Sequence, residues 1–464
     1  MGSDILNEVR VIAPCGVLGS GFPASSLEEA LSRDPHYIAC DAGSTDPGPF
    51  ALGSGQPAFA RIAVKRDLRL MLLGARRLEI PLLIGSAGTA GADVHLAWTF
   101  DILKEIAAEE SLSFRTALIH AQQEPAYLKR RLAEGRIKPL KPAPPFDAET
   151  IDRSERIVGM MGKEPFQRAL EAGADVVLAG RASDTAIFAS FATLHGIPEG
   201  VAWHAAKILE CGSAACVTNT GRRDCMMGHL REDHFEVTPM DPEMRVTPQS
   251  VAAHGLYENA DPYLIRECSG TIDLAPASYE AVDERRVRVR GSAFIPAEVY
   301  TVKLEGAEKV GYQTIIVAGI RDPLIIRQID PWLERLETVC RGKINEMYRG
   351  DLRDEDYRIT VHVYGKNGVM GPLEPVKEIR SHELCLVCEY TAPTQEMANS
   401  IAAVCRHTML HLSIPEWRGF ITGVACLHNP PQIDRGAIFR FNVNHVVEPD
   451  DPYEMFPMEM VGVG

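Results

Sequence analysis

The sequence predicts an α/β protein whose first part is a doubly wound, mostly parallel sheet. Short apolar runs end in small, polar loops and are followed by helical stretches, a pattern that recurs at 11–21, 37–48, 80–93 and 175–185. A fifth apolar run, at 115–123, ends in His and Gln. Apolar runs of this length that alternate with helices are typical of buried parallel strands.

The loops that follow these runs are rich in small and polar residues. In an open parallel sheet, ligands bind beyond the carboxyl ends of the strands, where such loops lie. The polar side chains of several loops are therefore expected to meet at one cleft. This arrangement predicts a small-molecule site, although the loops alone do not identify the reaction.

The character of the sequence changes along the chain. At 464 residues the chain is too long for one ordinary core, and two or three domains are expected. Strictly alternating runs at 285–291 and 297–304 predict an antiparallel sheet with one wet face, and a strong helix is predicted at 394–412. The predicted segments are an α/β parallel-sheet domain carrying the candidate site (1–225), a β-rich segment that packs on it or covers it (226–335) and an α+β C-terminal domain (336–464).

Composition and charge exclude several functional classes. The chain is 45% apolar and 24% charged, and its formal charge of -15 argues against a nucleic-acid or anionic-membrane surface, which needs clustered Lys and Arg. No stretch approaches the roughly 18 apolar residues of a membrane span, and the first residues lack the zones of a signal peptide. The 11 cysteines are scattered and odd in number, which suits reduced thiols. We therefore expect a cytoplasmic protein that binds neither nucleic acid nor membrane.

The loop after the second apolar run, CDAGSTDPGP, offers two carboxylates and two hydroxyls. Asp41 lies at the predicted strand tip and is a candidate catalytic base, while Ser44 and Thr45 are candidate substrate contacts. Asp46 is a candidate metal ligand, because carboxylates suit a divalent metal such as Mg²⁺. The alternative is that Asp41 caps the following turn and that Asp46 begins a simple β-turn.

The glycine-rich stretch 85–91, GSAGTAG, precedes a predicted helix. Such a turn can present free N–H groups and the helix dipole to an anion, and Ser86, Gly88 and Thr89 are the candidate contacts to a substrate carboxylate or phosphate. The stretch is neither a Walker A sequence nor a true G-x-G-x-x-G, so nucleotide binding is weakly indicated. The alternative is tight packing of helix on strand, which also demands small residues.

Two further strand ends carry polar side chains. His120 ends the fourth candidate strand, where its near-neutral pKa suits a proton shuttle, although a structural histidine explains the position equally well. After the strand DVVLAG, Arg181 is predicted to bind a carboxylate substrate, Asp184 to transfer a proton and Thr185 to contact the substrate. The alternative for Arg181 and Asp184 is an internal ion pair that braces the loop, and both interpretations can hold together.

Two groups lie in the second segment. The spacing of His254, Tyr257 and Glu258 places them on one helical face, so His254 and Glu258 join the candidate metal ligands or form an acid–base cluster, and a solvated helix end is the alternative. Lys303 and Glu305 alternate along one strand and are interpreted first as a surface pair. A substrate-facing Lys303 is the second interpretation.

Several stretches resemble the acyclic terpene utilisation family, which is also known as a domain of unknown function found beside carboxylase genes. The resemblance covers roughly residues 8–340, and the sequences that carry it are CDAGSTDPGP, GSAGTAGAD, AGRASDTAIF, AAHGLYENADPYLIRECSGTIDL and YTVKLEGAEKVGYQTIIVAGIRDP. It implies a cytosolic catabolic protein linked to the breakdown of branched or small carboxylic acids. Some members carry names that suggest ammonia-lyase or hydratase chemistry, and a small partner subunit is often encoded nearby. No catalytic residue is carried over from the family.

Together these observations predict an enzyme that acts on a small carboxylic acid or acyl substrate as a lyase, a hydratase or an isomerase. Asp41 or Asp184 would remove a proton next to a carbonyl, the 85–91 amides and Arg181 would hold the anionic end, and His120 would protonate the leaving group. The alternative is a non-catalytic or half-catalytic subunit that needs a small partner protein to complete its site. A homo-oligomer is expected, and the cofactor is not identified by the sequence beyond the candidate Mg²⁺.

Overall fold

The computed structural model describes residues 5–217, 224–417 and 422–464, and the element bounds below refer to these parts of the chain. The strands are β1 (Glu8–Ala13), β2 (Tyr37–Asp41), β3 (Leu82–Gly85), β4 (Phe114–Ile119), β5 (Ile137–Pro139), β6 (Ser154–Met160), β7 (Val176–Ala179), β8 (Met226–Arg231), β9 (His234–Pro239), β10 (Leu264–Glu267), β11 (Gly270–Asp273), β12 (Ser278–Ala281), β13 (Val287–Arg290), β14 (Ala293–Pro296), β15 (Val302–Ile320), β16 (Arg358–Tyr364), β17 (Leu384–Ala392), β18 (Ala425–Cys426), β19 (Ile433–Val447) and β20 (Met458–Val463). The α-helices are α1 (Ala24–Leu31), α2 (Phe50–Ser54), α3 (Arg61–Arg77), α4 (Asp93–Glu110), α5 (Pro125–Ala133), α6 (Ala148–Arg153), α7 (Glu164–Glu171), α8 (Asp184–Leu194), α9 (Glu199–Leu209), α10 (Pro248–Gly255), α11 (Pro323–Arg327), α12 (Ile329–Met347) and α13 (Gln395–His411).

Contacts within the chain define two compact units. The first unit comprises Met1–Glu308 and Phe441–Gly464, and the second unit comprises Lys309–Arg440. The unit boundaries therefore fall inside β15 and β19. The three segments expected from the change in sequence character remain a prediction about domains.

The first unit is built on a ten-stranded sheet with the order β12-β13-β9-β8-β1-β2-β3-β7-β4-β20. Its central strands β1, β2, β3, β7 and β4 pair in parallel, whereas the five outer strands pair antiparallel. The mixed α/β class is confirmed, but the predicted mostly parallel, doubly wound sheet is not. The outer strands extend both edges of the parallel centre, and their pairing depends on contacts between distant parts of the chain.

Successive residues of the central strands face opposite sides of this sheet. In β2, Tyr37 and Ala39 pack into one apolar core, and Ile38 and Cys40 pack into another. Helices α8 and α9 contribute to the first core, while α1, α3 and α4 contribute to the second. Because both faces are covered, the strands appear in the sequence as continuous apolar runs.

Smaller antiparallel pairings complete the first unit. Strands β10, β11 and β14 form a three-stranded sheet. The beginning of β15 pairs with β6, which places Glu305 opposite Val158 and Lys303 opposite Met160. This pairing draws Glu305 into the interior of the unit, where its exposure is 4%.

The second unit combines antiparallel strands with two long helices. Residues 312–320 of β15 pair with β17, and β17 pairs with β16. Helices α12 and α13 share an apolar core with these strands, in which Trp332 and Ile401 are buried. The helix expected at 394–412 is confirmed as α13, and Thr394 caps it by accepting a hydrogen bond from the Met397 N–H at 3.2 Å.

No helix in the described parts of the chain combines the length and the apolar character that crossing a membrane requires.

Candidate active site at the strand ends

The carboxyl ends of the parallel strands are tied together by backbone hydrogen bonds. The Leu18 N–H donates to the Asp41 carbonyl oxygen at 2.8 Å, the Ala42 N–H to Gly85 at 3.0 Å, and the Ser86 N–H to Gly180 at 2.8 Å. The loops after β1, β2, β3 and β7 therefore lie side by side at one edge of the sheet. This edge is the place where open parallel sheets bind ligands.

Asp41 ends β2 and is 5% exposed. Its Oδ2 accepts a hydrogen bond from the Gly43 N–H at 3.0 Å, but its Oδ1 has no hydrogen-bond partner among the described residues. Burial raises the pKa of Asp41 well above its usual range, the charge of Asp184 raises it further, and Arg181 opposes both. Asp41 is therefore a buried carboxyl that holds its proton tightly.

Arg181 follows β7 and is held by a buried carboxylate from a distant strand. Its Nε donates to Glu305 Oε2 at 2.8 Å, and the two side chains are each 5% exposed. Although burial alone would raise the pKa of Glu305, the charges of Arg181 and Lys303 lower it to about 2. The interpretation of Lys303 and Glu305 as a surface pair is therefore wrong for Glu305, because the pairing of β15 with β6 buries it.

Arg181 also braces its own loop. Its Nη1 donates to the Ala182 carbonyl at 2.8 Å, to Ser86 Oγ at 3.1 Å and to Asp184 Oδ1 at 3.3 Å. The internal pair with Asp184, one of the two interpretations of the sequence, is present. With these partners and Glu305, Arg181 is fully occupied in the structure.

Asp184 is the most accessible carboxyl of this group. It opens α8, and its side chain is 32% exposed. Burial raises the pKa of Asp184, while the charge of Arg181 opposes the rise. Asp184 is therefore a partly accessible carboxyl beside the deeply buried carboxyl of Asp41.

Glu267, at the end of β10, is bound by the loop that precedes α8. Ser183 Oγ donates to Glu267 Oε2 at 2.7 Å, and the Thr185 hydroxyl donates to the other carboxylate oxygen. Burial raises the pKa of Glu267 to about 7, against the effect of these two hydroxyls. The predicted substrate contact Thr185 is thus engaged with a second titratable group of the site.

The end of α9 adds a buried ion pair. Lys207 Nζ lies 2.5 Å from Glu210 Oε1, and each residue is 5% exposed. Burial raises the pKa of Glu210 to about 8, the charge of Lys207 opposes this rise, and the charge of Asp184 adds to it. The pair therefore shares the electrostatic environment of Asp184.

These contacts and charges define the strand-end cluster. Its members are five carboxyl groups and three cations, namely Asp41, Asp184, Glu210, Glu267, Glu305, Arg181, Lys207 and Lys303. In the described parts of the chain every cation of the cluster has a carboxylate partner from within it. The excess of acid and the raised carboxyl pKa values suit proton transfer more than the binding of a strongly anionic ligand.

The glycine-rich loop does not present a row of free N–H groups. The N–H groups of Ser86, Ala87, Thr89 and Gly91 all donate to backbone carbonyl oxygens. The Ser86 hydroxyl binds Arg181, and the Thr89 hydroxyl accepts from the Ala58 N–H at 3.1 Å. These contacts agree with the alternative interpretation, in which the loop is tightly packed. The role of Ser86, Gly88 and Thr89 in substrate binding stays a prediction.

Close packing explains the small residues of this loop. A side chain at Gly91, where φ is +64°, would place a Cβ 2.1 Å from the Arg181 backbone nitrogen. A Cβ at Gly43 would lie 2.7 Å from the Thr89 Cα. Glycine therefore allows the loops after β2, β3 and β7 to approach each other.

The remaining part of the Asp41 loop is a turn. The Gly48 N–H donates to the Thr45 carbonyl at 3.0 Å, and the Asp46 N–H donates to Ser44 Oγ at 3.1 Å. Thr45 is buried, Ser44 is half-buried and Asp46 is exposed. Asp46 therefore lies in a turn, as the alternative interpretation predicts. The charge of Asp46 raises the pKa of Asp184.

His120 has partners outside the strand-end cluster. Its Nδ1 lies 2.8 Å from Asp93 Oδ1 and its Nε2 lies 3.5 Å from Glu459. The hydrogen bond to Asp93 raises the pKa of His120, against the effect of burial. Its contacts therefore do not bring it to Asp41 or Asp184, and its proton-shuttle role stays a prediction.

His254, Tyr257 and Glu258 do not share a helical face, so that prediction is wrong. Helix α10 ends at Gly255, a poor helix former, and the Tyr257 N–H donates to the His254 carbonyl at 3.0 Å in the turn that follows. Within residues 5–217, 224–417 and 422–464, no group of three or more His, Cys, Asp or Glu side chains is arranged to hold a metal ion.

Four members of the cluster were not identified as site residues from the sequence. They are Lys207, Glu210, Glu267 and Glu305. A signal existed for the first two, because α9 is apolar on every side and a charged pair three residues apart is unexpected there. Glu267 ends the short strand β10 and Glu305 lies near the start of the long strand β15, and in an alternating strand a charged residue usually faces solvent.

Comparison with known proteins identifies one family. The model for acyclic terpene utilisation family protein AtuA matches residues 83–422, which is more than half of the 464-residue chain. Arg181, Asp184 and Glu305 lie inside this range, whereas Asp41 lies before it. No curated protein and no solved structure matches the chain.

Proposed function

The chain belongs to the acyclic terpene utilisation family AtuA, and from this premise we propose that it is a cytosolic catabolic enzyme acting on a small carboxylic acid or acyl substrate. The proposed reaction is a proton-transfer elimination, addition or isomerisation, as in a lyase, a hydratase or an isomerase. The family name supports a catabolic role. The type of reaction is inferred from the strand-end cluster.

The observation that carries this proposal is the Asp41 carboxyl, which is buried and leaves Oδ1 without a hydrogen-bond partner among the described residues. Buried polar atoms without partners are rare in folded proteins, so this one marks a position where a substrate can supply the partner. The raised pKa of Asp41 favours its protonated form, which can donate a proton.

In the proposed reaction, the more accessible Asp184 acts as the base. Its carboxylate accepts the proton on the carbon next to the carboxyl or acyl carbonyl, and the electron pair of that C–H bond forms a double bond as the leaving group departs. A leaving hydroxyl takes the proton of Asp41 and departs as water, whereas an ammonium group departs as ammonia without it. Two carboxyls that differ in accessibility are suited to this division of roles.

Arg181 is proposed as a positioning residue in this scheme. Its bond to Glu305 fixes the guanidinium, and its contact with Asp184 Oδ1 at 3.3 Å orients the base. Neither His120 nor the 85–91 amides are assigned a step, because His120 binds Asp93 and four N–H groups of that loop donate to backbone carbonyl oxygens. Ser44 and Thr45 remain proposed substrate contacts beside Asp41.

The test is a spectrophotometric screen of the purified full chain. Hydroxy, amino and unsaturated di- and tricarboxylates are supplied with and without Mg²⁺, and the absorbance of a conjugated double bond is followed. Asp184→Asn is expected to lower the turnover of an identified substrate by roughly 10²- to 10⁴-fold, because it removes the base. Asp41→Asn is expected to do the same for a substrate that loses water, and to have a smaller effect on one that loses ammonia. Asp101→Asn, which changes an exposed surface carboxylate paired with Lys104, is the matched control and is expected to retain activity.

Circular dichroism of each variant separates lost chemistry from lost folding. The proposal is overturned if both Asp41→Asn and Asp184→Asn keep full turnover, or if both lose it only together with their folded spectrum. Loss in the two site variants but not in Asp101→Asn supports it.

A second candidate is a half-catalytic subunit completed by a small partner protein. The observation that favours it is a set of large apolar side chains exposed near the site, each between 42% and 52% exposed: Leu256, Tyr257, Tyr263 and Leu264. This candidate predicts that the isolated chain is inactive on every substrate of the screen and gains turnover when a stoichiometric partner is added. We also propose a homo-oligomer, which light scattering on the purified chain tests.

A further inference from the structure

A cavity of ≈ 600 Å³ adjoins the strand-end cluster in the first unit. Its lining residues are Gly16, Val17, Cys211, Ala214, Ser250, Ala253, His254, Tyr257 and Glu258. The volume is in the range of small-molecule sites. None of the polar lining side chains has a step in the proposed reaction.

Two wall segments connect this cavity to the cluster. Val17 is followed by Leu18, whose N–H donates to the Asp41 carbonyl at 2.8 Å. Cys211 follows Glu210, and the charge of Asp184 acts on the pKa of both residues. A molecule in the cavity therefore touches Cys211, a residue on which the charges of Glu210 and Asp184 act.

His254 is the buried polar group of the cavity wall. It is 7% exposed, and its Nε2 is buried without a hydrogen-bond partner among the described residues. Burial lowers the pKa of His254 to about 4, and the charge of Lys207 lowers it further, so the ring is neutral at physiological pH. A neutral imidazole offers one ring nitrogen as a hydrogen-bond acceptor, and a ligand N–H can satisfy it.

Tyr257 and Glu258 stand at the exposed side of the same cavity. The Tyr257 ring is stacked on His254 with centroids 5.9 Å apart, and Tyr257 is 52% exposed. Glu258 adds a carboxylate, whereas none of the described lining residues is Lys or Arg. An aromatic face, a carboxylate and a neutral nitrogen acceptor together recognise an ammonium group, while a phosphate or carboxylate would find no cation in this wall.

Nearby charges agree with a cationic ligand. The charge of Lys207 acts on His254, but Lys207 does not line the cavity, and its Nζ lies 2.5 Å from Glu210 Oε1, its own counter-ion. The described lining itself carries the carboxylate of Glu258, so a ligand with a positive charge finds its counter-charge in the cavity wall.

We propose that this cavity binds the ammonium group of the substrate, so that the substrate class is an amino acid or a closely related amino acyl compound. Glu258 and the Tyr257 ring hold the charge, and His254 accepts one ammonium N–H. This inference rests on the proposed function, because it assumes that the molecule in the cavity is the one presented to Asp184.

The test is equilibrium binding to the full chain with matched pairs that differ only in the amino group. L-aspartate is compared with L-malate, and L-alanine with L-lactate, by isothermal titration calorimetry at fixed pH and salt. The amino member of at least one pair is expected to bind about tenfold more tightly, the magnitude of a charged hydrogen bond. Glu258→Gln is expected to reduce that preference to near parity, while Glu298→Gln, at an exposed position outside the cavity, leaves it unchanged.

Three outcomes overturn the inference: equal or tighter binding of both hydroxy acids, no binding of either amino acid at millimolar concentration, or a preference that survives Glu258→Gln. Because the readout is binding, it is separate from turnover. If the amine preference and its dependence on Glu258 hold while Asp41→Asn and Asp184→Asn keep full activity, the proposed reaction fails and the cavity assignment stands. If those variants lose activity but no amine preference exists, the cavity assignment fails and the proposed reaction stands.

Discussion

The two units of this chain differ in what they bury. In the described part of the second unit the buried polar side chains are uncharged: Gln313, Thr314 and Thr408. The described part of the first unit buries eleven Asp, Glu, Lys and Arg side chains, which are Asp41, Asp67, Arg131, Lys163, Arg181, Lys207, Glu210, Asp224, Glu236, Glu305 and Glu308. Several of these lie at the carboxyl ends of the parallel strands.

This difference shows that a core of this chain can form without buried charges. The described part of the second unit reaches a packed core around Trp332 without a buried charge, and ion pairs such as Arg353–Glu355 and Arg380–Glu378 lie at its surface. Burying charges costs free energy unless each one is paired and hydrogen-bonded. Charges are nevertheless buried at the strand ends of the first unit, and this supports a functional interpretation of them.

The largest expected effect on stability comes from removing Arg181. Arg181→Met leaves Glu305 buried with only Lys303 nearby, and it is expected to lower the free energy of unfolding by about 3 kcal/mol. Arg380→Met, which breaks an ion pair with Glu378 in the second unit between side chains that are 78% and 71% exposed, is expected to cause no measurable loss. Urea unfolding followed by circular dichroism measures both variants.

A second variant separates the pair from the packing around it. Arg181→Met combined with Glu305→Leu removes both charges and is expected to recover most of the lost stability, because an apolar pair of similar volume replaces a buried ion pair at little cost. Equal stability of Arg181→Met and Arg380→Met would contradict the contrast between the units.

The pH dependence of stability gives a smaller, directional effect. Burial raises the pKa of Glu267 from 4.5 to about 7, so the folded state holds this proton more tightly than the unfolded state. The resulting stabilisation is fully present below pH 4.5 and is lost as the pH rises through about 7, a change of about 3 kcal/mol. Urea unfolding from pH 4 to 8 measures the slope.

Glu267→Gln is expected to remove that part of the slope. Glu346→Gln, at an exposed position in the second unit, serves as the matched control and is expected to retain the slope of the unmodified chain. Histidines with lowered pKa values, such as His254, act in the opposite direction, since their stabilisation is lost as the pH falls. The difference between the two variants therefore isolates Glu267, and identical slopes would refute its raised pKa.

The smallest expected effect is a gain in the second unit. Gly342 lies in the exposed part of α12 with no atom within 4 Å of an added Cβ, so Gly342→Ala is expected to raise the free energy of unfolding by about 0.5–1 kcal/mol. Gly91→Ala in the first unit is expected to destabilise instead, because its Cβ would meet the Arg181 backbone nitrogen at 2.1 Å. Thermal unfolding of the two variants tests whether the same substitution has opposite signs in the two regions.

Local patterns predicted part of this structure. The apolar runs of β1, β2, β3, β4 and β7 and the helix α13 are visible in the sequence, because periodicity and composition act over a few residues. The family is also recognisable from its motifs, and the match over residues 83–422 confirms it. The mostly parallel sheet was predicted wrongly, since pairing of β8 and β20 with the edges of the parallel strands depends on contacts across the whole unit.

In the candidate site, too, the sequence predicted some features and missed others. Asp41, Arg181 and Asp184 follow apolar strands, so their place at the carboxyl edge was predictable from the sequence, although their roles remain predictions. The engagement of Arg181 with Glu305 was not predictable, because alternation along a strand does not reveal which face is buried.

The sequence by itself determined the mixed α/β class, the family and the set of polar loops at the strand ends. Only the tertiary structure decided which charges those loops meet. Glu305 binds Arg181 across 124 residues of chain, and Ser183 binds Glu267 across 84. Burial and charge neighbours set the pKa of a carboxyl, and both depend on such long-range contacts, which local sequence patterns do not encode.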